Sequence, residues 1–251
     1  MIDFVIVSYN SLEYLPNVYR QIQKKFDDPD VTILDNASTD GSQKWLNKLK
    51  RARVLYRLDN IGYAPAANKD SEYGINEYIC FMNPDIDFTW FAIQGALIEL
   101  DDPDVVIASP QELKENGEPR MYDGFAGGAC MLVKRDWFES VGGFNDKLEF
   151  GCDDIDISRR AVEAGYRWMV TEPAITHYGQ RSHDMATRKK IAASKEVLAE
   201  DWDKVVLKFV GTKGEYIIGI PSRDLTRKDM VDLAGIKAED LTASNLYEEV
   251  S

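Results

Sequence analysis

The sequence predicts an α/β protein with a mostly parallel central sheet, helices on both faces, and a small C-terminal appendage. Three observations predict it. Short apolar runs rich in β-branched residues alternate four times with helically spaced apolar residues. Each run ends in a polar loop before its helix begins, and the character of the chain changes after residue 210.

The first run is Phe4-Val5-Ile6-Val7, which opens into Ser8-Tyr9-Asn10 before Leu12, Leu15, Val18, Tyr19 and Ile22 mark a helix. Val31-Thr32-Ile33-Leu34 leads through the turn-forming stretch 35–41 to a helix carrying Trp45, Leu46 and Leu49. Arg53-Val54-Leu55-Tyr56 leads to Asn60-Ile61-Gly62 and a helix from Ala64 to Tyr73. Tyr78-Ile79-Cys80-Phe81-Met82 ends in Asn83-Pro84-Asp85-Ile86-Asp87. Right-handed crossovers fold each helix back onto a parallel sheet, and such sheets bind ligands at the carboxyl ends of their strands. Tyr9, Asn10, Asp35, Asn36, Asn60, Asp85 and Asp87 are therefore predicted to share one cleft.

The second half is more mixed. Residues 105–108 read as a strand, 114–118 as a turn, and 127–133 as a strand with a flexible entry. A short helix is predicted over 154–164, stopped by Gly165, and one longer helix over 183–209. From Gly211 the chain offers a short strand at 215–221 and a capped helix start at Leu225. This divides the chain into a main domain, 1–210, and an appendage, 211–251, suited to docking.

A chain of 251 residues can bury a sizeable core without staples, and 44% hydrophobic with 29% charged residues excludes a disordered or fibrous protein. A net charge of -13 would repel a phosphate backbone, so no nucleic acid is expected as partner; Arg188-Lys189-Lys190 reads as a solvated helix face. Cys80, Cys130 and Cys152 show no CxxC spacing, which fits a reducing cytoplasm. The N-terminus reads as a strand rather than a signal peptide, and no run approaches the roughly 20 apolar residues of a transmembrane segment. A membrane-lipid acceptor would have to be met by peripheral membrane contact.

Six fragments occur in order: Val7-Ser8-Tyr9-Asn10, the stretch 35–42, Asn60-Ile61-Gly62 with its sequel to Asn68, Asn83-Pro84-Asp85-Ile86-Asp87, Val141-Gly142-Gly143-Phe144, and Asp153-Asp154-Ile155-Asp156 followed by Arg160. Together they closely resemble the family 2 glycosyltransferases over roughly residues 1–180. The resemblance implies the GT-A fold and inverting transfer of a sugar from a UDP- or dTDP-sugar to a hydroxyl of a glycan or lipid-linked acceptor. Polysaccharide biosynthesis is the setting that the family suggests.

The chemistry of each fragment supports the assignment. A nucleoside diphosphate must have its charge offset before it can leave, and paired carboxylates can hold a divalent cation for that purpose. The resemblance assigns Asp87 to the metal, Mn²⁺ or Mg²⁺, and Asp85 to the ribose or the metal. Asp35 can accept the imide N–H of uracil or thymine, with Tyr9 close to the base; its alternative is an Asx turn. Asn60 and Gly62 would bring backbone close to the donor, and Asn68 reads as a donor contact or a polar helix-face residue. Asp154, at the second position of the family's Glu-Asp motif, becomes the general base, with Asp153 replacing the usual Glu. His177 falls where such enzymes place a histidine against metal or diphosphate, and Arg181 is suited to neutralising phosphate. Gly127-Gly128 serves either a sugar's approach or a packing bend, and Trp137 and Trp168 read as core.

Two other classes use similar parts. A sugar nucleotidyltransferase should open with a basic, glycine-rich loop, where this chain has Ser8-Tyr9-Asn10-Ser11. A non-catalytic nucleotide-sugar or glycan-binding protein need not retain Asp35, Asp85, Asp87 and Asp154 together.

Overall fold

A computed structural model describes residues 1–120, 124–179, 204–211 and 214–221. The first half follows the predicted alternation: β1 (Ile2–Ser8), α1 (Leu15–Lys25), β2 (Asp30–Asp35), α2 (Ser42–Leu46), β3 (Arg53–Tyr56), α3 (Tyr63–Ser71), β4 (Tyr78–Met82), β5 (Ile86–Asp87) and α4 (Trp90–Leu100). Then come β6 (Val105–Leu113), β7 (Cys130–Lys134), α5 (Arg135–Ser140), α6 (Asp153–Glu163), β8 (Arg167–His177), β9 (Lys204–Gly211) and β10 (Gly214–Pro221).

Eight strands form one sheet in the order β3-β2-β1-β4-β7-β6-β8-β5. β3, β2, β1 and β4 run parallel, as do β6 and β8. β7 is antiparallel to both of its neighbours, and β5 to β8. The sheet is thus mostly parallel but turns mixed after β4, because β7 enters as a return strand rather than through a right-handed crossover.

Strand alternation feeds two cores. Phe4, Ile6 and Ile33 pack with Leu15, Val18 and Ile22 of α1, Leu46 of α2, and Ile93 and Leu100 of α4. Val5, Val7 and Leu34 face the other way, onto Ala64 and Ala67 of α3, Phe138 of α5 and Ile157 of α6. Trp137 and Trp168 are buried in this second core, as expected. Local signals set the helix ends: Pro16 lies in the first turn of α1, Lys24 and Lys25 lie in its last, and the Thr89 hydroxyl accepts from Ala92 N–H at 3.2 Å to cap α4. Asp87 therefore does not cap α4; it is a strand residue.

The amino ends of the strands are clamped by a buried ion pair. Arg135 Nη2 donates to Asp3 Oδ2 at 2.6 Å, and its Nε to the Asn76 carbonyl at 2.6 Å. Asn76 in turn donates to Asp3 Oδ1 and Asp30 Oδ2.

The expected helix over 183–209 is corrected at its end: residues 204–209 belong to β9, which pairs with β10 in a separate hairpin. Val205, Val206, Leu207, Phe209 and Val210 form an apolar run that fits a strand as well as a helix, and pairing with β10 decides it. The expected boundary at 210/211 falls inside this hairpin, and β10 lies against β8 and α6. The rest of that helix and the one expected from Leu225 lie outside the described residues. Among the described residues, no helix is long and apolar enough to cross a membrane.

Candidate active site

The loops that leave β1 and β2 are stitched together. Asn10 N–H donates to Ser38 Oγ, Thr39 N–H to Asn10 Oδ1, and Leu12 N–H to Asp40 Oδ2. At the base of this pair of loops lies Asp35, fully buried. Its Oδ2 accepts from Ser38 N–H at 3.1 Å and Gln43 Nε2 at 2.7 Å, whereas its Oδ1 has no hydrogen-bond partner. The Asx turn and an open acceptor thus coexist on one carboxylate. Tyr9, half-buried, follows the end of β1 beside this carboxylate's strand.

Asn36 carries the site across to the next loop. Its Nδ2 donates to Asn60 Oδ1 and to the Gly62 carbonyl, and its Oδ1 accepts from Ile61 N–H. Gly62 has φ +94° and ψ 174°, a conformation that L side chains rarely adopt, and a Cβ there would collide with the Glu149 backbone. The close approach that requires glycine is therefore to the segment before α6. Tyr63 N–H donates to the Glu149 carbonyl at 2.6 Å, locking the two segments together. Burial pushes the Tyr63 hydroxyl well above its usual range, and the charges of Asp153 and Asp154 add to the rise.

Asp154, half-buried, occupies the first turn of α6, and a Cβ on Gly128 would press on its carboxylate at 3.1 Å. Gly128 is thus the space that admits Asp154. Burial raises the Asp154 carboxyl well above the carboxylate range, and the charges of Asp153 and then Glu112 raise it further. Asp153 is raised by burial, and by Asp156, to about 6. Asp156 pairs with Arg160, whose other nitrogens donate to the Val141 and Gly143 carbonyls. Asn68, a polar residue on the face of α3, forms a similar clasp, with hydrogen bonds in both directions to the Phe144 backbone.

Glu112 is a central residue that sequence reasoning missed. Buried on β6, it accepts from Ala129 N–H through Oε1 and meets His177 Nδ1 through Oε2 at 2.8 Å. His177 Nε2 faces Asp85 Oδ1 at 3.5 Å and the Asn83 amide at 3.4 Å. Burial lowers the His177 pKa, but hydrogen bonds and charges from Asp85 and Glu112 outweigh it and raise the imidazole to about 9. Burial likewise raises Asp85, while the His177 hydrogen bond and charge more than offset it, leaving the carboxyl below its usual range. Arg120, a second residue not anticipated, donates from Nη2 to the His177 carbonyl and lies over Gly179.

Asp87 is bound differently. Its Oδ1 accepts from Asn17 and Gln21 of α1, both at 2.7 Å, and its Oδ2 from the Tyr178 hydroxyl at 2.6 Å. Among the described residues, no three His, Cys, Asp or Glu side chains form a metal-ligand group. The donor chemistry still fits a hard divalent cation that keeps coordination positions for phosphate oxygens: a carboxylate, Asp85, faces an imidazole fixed at its far nitrogen by a carboxylate, Glu112. Arg181 lies outside the described residues. Among the remaining candidates, hydrogen bonds join Asn36 to Asn60 and Gly62, and Glu112 to His177, which faces Asp85, while the charge of Asp154 acts on Tyr63 and that of Glu112 on Asp154.

Comparison with known proteins matches residues 3–125 to the family described as glycosyl transferase family 2 and residues 111–184 to the N-terminal domain of galactosyltransferase. The N-acetylglucosaminyl-diphospho-decaprenol L-rhamnosyltransferase of Mycobacterium tuberculosis is 24% identical over 220 residues, which covers 66% of this chain and 72% of the relative. The Pyrobaculum calidifontis mannosyltransferase PcManGT, solved with GDP-Man and Mn²⁺, has a TM-score of 0.62 at 18% identity, and GalNAc-T7, solved with UDP, GalNAc and Mn²⁺, has 0.63 at 13%. These alignments cover 80% and 78% of this chain but only 64% and 48% of the two structures. TarS of S. aureus in complex with UDP-GlcNAc has a TM-score of 0.61 at 14% identity, over 80% of this chain and 66% of TarS. With residues 3–125 matched to glycosyl transferase family 2 and the fold shared with these structures, this chain is a glycosyltransferase of GT-A fold whose first half is a family 2 domain.

Proposed function

We propose that the enzyme transfers a sugar, with inversion, from a UDP- or dTDP-sugar to a hydroxyl of a glycan or lipid-linked acceptor, and that it depends on Mn²⁺ or Mg²⁺. The observation that carries this is the set of acidic and amide side chains from Asp35 to Asp85. It begins at a buried carboxylate oxygen with no partner, suited to an imide N–H, and ends at a carboxylate–imidazole pair suited to a cation. Asp85 and His177 would hold the cation, which when bound offsets charge on the departing diphosphate. Loading it would release the Nε2 proton of His177, since a ligating imidazole must be neutral. Asp87, with its oxygens already engaged, fastens α1 to β5 and Tyr178 in this proposal, and Arg120 adds positive charge beside the diphosphate.

Asp154 takes the proton of the acceptor hydroxyl as that oxygen attacks the anomeric carbon. Its raised pKa makes the ionised form a stronger base. One in-line displacement gives inversion. The relative named for transfer to a diphospho-decaprenol acceptor supports a lipid-linked acceptor here, met by peripheral membrane contact. Cys80 and Cys130, free and buried with sulfurs 3.9 Å apart, support a cytoplasmic setting. We place the catalytic domain before the β9–β10 hairpin, with that hairpin as the start of the appendage.

The test is a pooled screen of nucleotide sugars against glycan and lipid-linked acceptors with Mn²⁺, the products being read by mass spectrometry. A product one sugar heavier, formed only from a uridine or thymidine donor, is the expected result. Donor consumption only from a guanosine donor would overturn the assignment.

A further inference from the structure

Ser8 and Asp35 are the last residues of β1 and β2 and lie directly opposite each other in the parallel register. Facing residues of a parallel pair project from the same side of the sheet. That side is the one on which Ile6 and Ile33 pack against α1 and α2. Both residues are fully buried, and each carries an oxygen without a hydrogen-bond partner, Ser8 Oγ and Asp35 Oδ1. Two adjacent orphaned oxygens are costly in a protein interior unless a ligand completes them. The second oxygen of Asp35 is not open, because Gln43 Nε2 at 2.7 Å and Ser38 N–H at 3.1 Å occupy it.

Resting on the donor-site reading above, we propose that Ser8 and Asp35 read the base together, as one hydrogen-bond donor and one acceptor, and that Gln43 makes the reading selective. Uracil presents N3–H beside the O4 carbonyl: Asp35 Oδ1 accepts the first and the Ser8 hydroxyl donates to the second. Cytosine reverses that order and sets its N3 lone pair against the Asp35 carboxylate. Guanine matches uracil at O6 and N1–H but sets the N2 amine, a second donor, where uracil has the O2 acceptor, and that donor calls for the second oxygen of the carboxylate. With Oδ2 closed by Gln43, one guanine donor is left without a partner.

Calorimetric titration of the full chain with UDP, CDP and GDP, each with Mn²⁺, tests this in the parent, Gln43→Ala and Ser8→Ala. UDP is expected to bind at least about tenfold more tightly than GDP or CDP in the parent. Gln43→Ala should shrink the UDP-to-GDP ratio to within about threefold by removing the shorter of the two hydrogen bonds on Oδ2 and freeing a lone pair there. A ligand-side probe, 4-thio-UDP, avoids dependence on the fold of the variants. Its weaker acceptor should cost the parent about fivefold relative to UDP and cost Ser8→Ala almost nothing. An unchanged UDP-to-GDP ratio in Gln43→Ala, or an equal 4-thio penalty in parent and Ser8→Ala, overturns the proposal while leaving the donor site standing. Failure of all three nucleotides to bind the parent would remove the donor site itself, and this inference with it.

Discussion

Asp154, half-buried, and Asp70, fully buried, are two carboxyls raised by burial with opposite fates. The Asp154 side chain sits against Gly128, in the field of Asp153 and Glu112, and in the proposed reaction it takes the acceptor's proton. Asp154→Asn preserves shape and removes basicity. Transfer is expected to fall by about 10²- to 10⁴-fold, with the affinity for UDP and Mn²⁺ little changed, as steady-state kinetics and calorimetry on one preparation will show. Asp70 on α3 is buried with both oxygens unpartnered, and burial, against a weak pull from the Leu34 backbone and the Arg53 charge, pushes its pKa well above the usual range. A carboxyl whose folded pKa is raised favours folding fully only below its unfolded pKa of about 3.9, and loses that contribution as pH rises through the folded value. Asp70→Asn should therefore gain stability over the parent progressively from pH 4 to pH 8 in urea titrations, and a pH-independent difference would refute this. At this scale Asp35, Asp85 and Asp154 were legible because each follows a strand or opens a helix within a recognisable fragment. Glu112 was not, because β6 runs on through Ser109, Pro110 and Gln111, polar or strand-breaking residues that hide a strand, and its partners lie 17 and 65 positions away.

The elements of the first half could be read from periodicity because each strand is followed at once by the helix that covers it. β8 could not, since Arg167–His177 gains its strand character from pairing with β6 and β5, across a register broken by bulges. α5 is a six-residue helix anchored by Arg135 and leaves little periodic signal. Arg135 does more than begin that helix. With side chains only 8% and 6% exposed, Arg135 and Asp3 form an ion pair that ties α5 to β1, and Ser71, Asn76 and Glu139 accept further guanidinium hydrogen bonds. Arg135→Met would strand the Asp3 charge in the interior and should cost about 3–5 kcal/mol in chemical denaturation. Adding Asp3→Leu should restore a good part of that loss, because the uncompensated charge is then gone.

Across the whole molecule, the sheet changes from parallel to mixed at β4 and β7, and the chemistry gathers around that change. Asp85 follows β4, Glu112 lies near the end of β6, His177 ends β8, and Asp154 lies in the first turn of α6, after the Glu149 segment that packs on Gly62. The overall fold was legible from order alone, four strand-loop-helix units and then a mixed half. The hold of Glu112 on the far nitrogen of His177 was not, because it depends on strands that meet far apart in the sequence. The central claim is that this crevice grips a nucleoside diphosphate through a divalent cation held by Asp85 and His177. Calorimetric titration of UDP into the full chain, with and without Mn²⁺ and in Asp85→Ala, tests it most directly. Binding that needs Mn²⁺ and falls at least about tenfold in Asp85→Ala is the predicted result. UDP binding of equal strength with and without Mn²⁺, unchanged in Asp85→Ala, would contradict it.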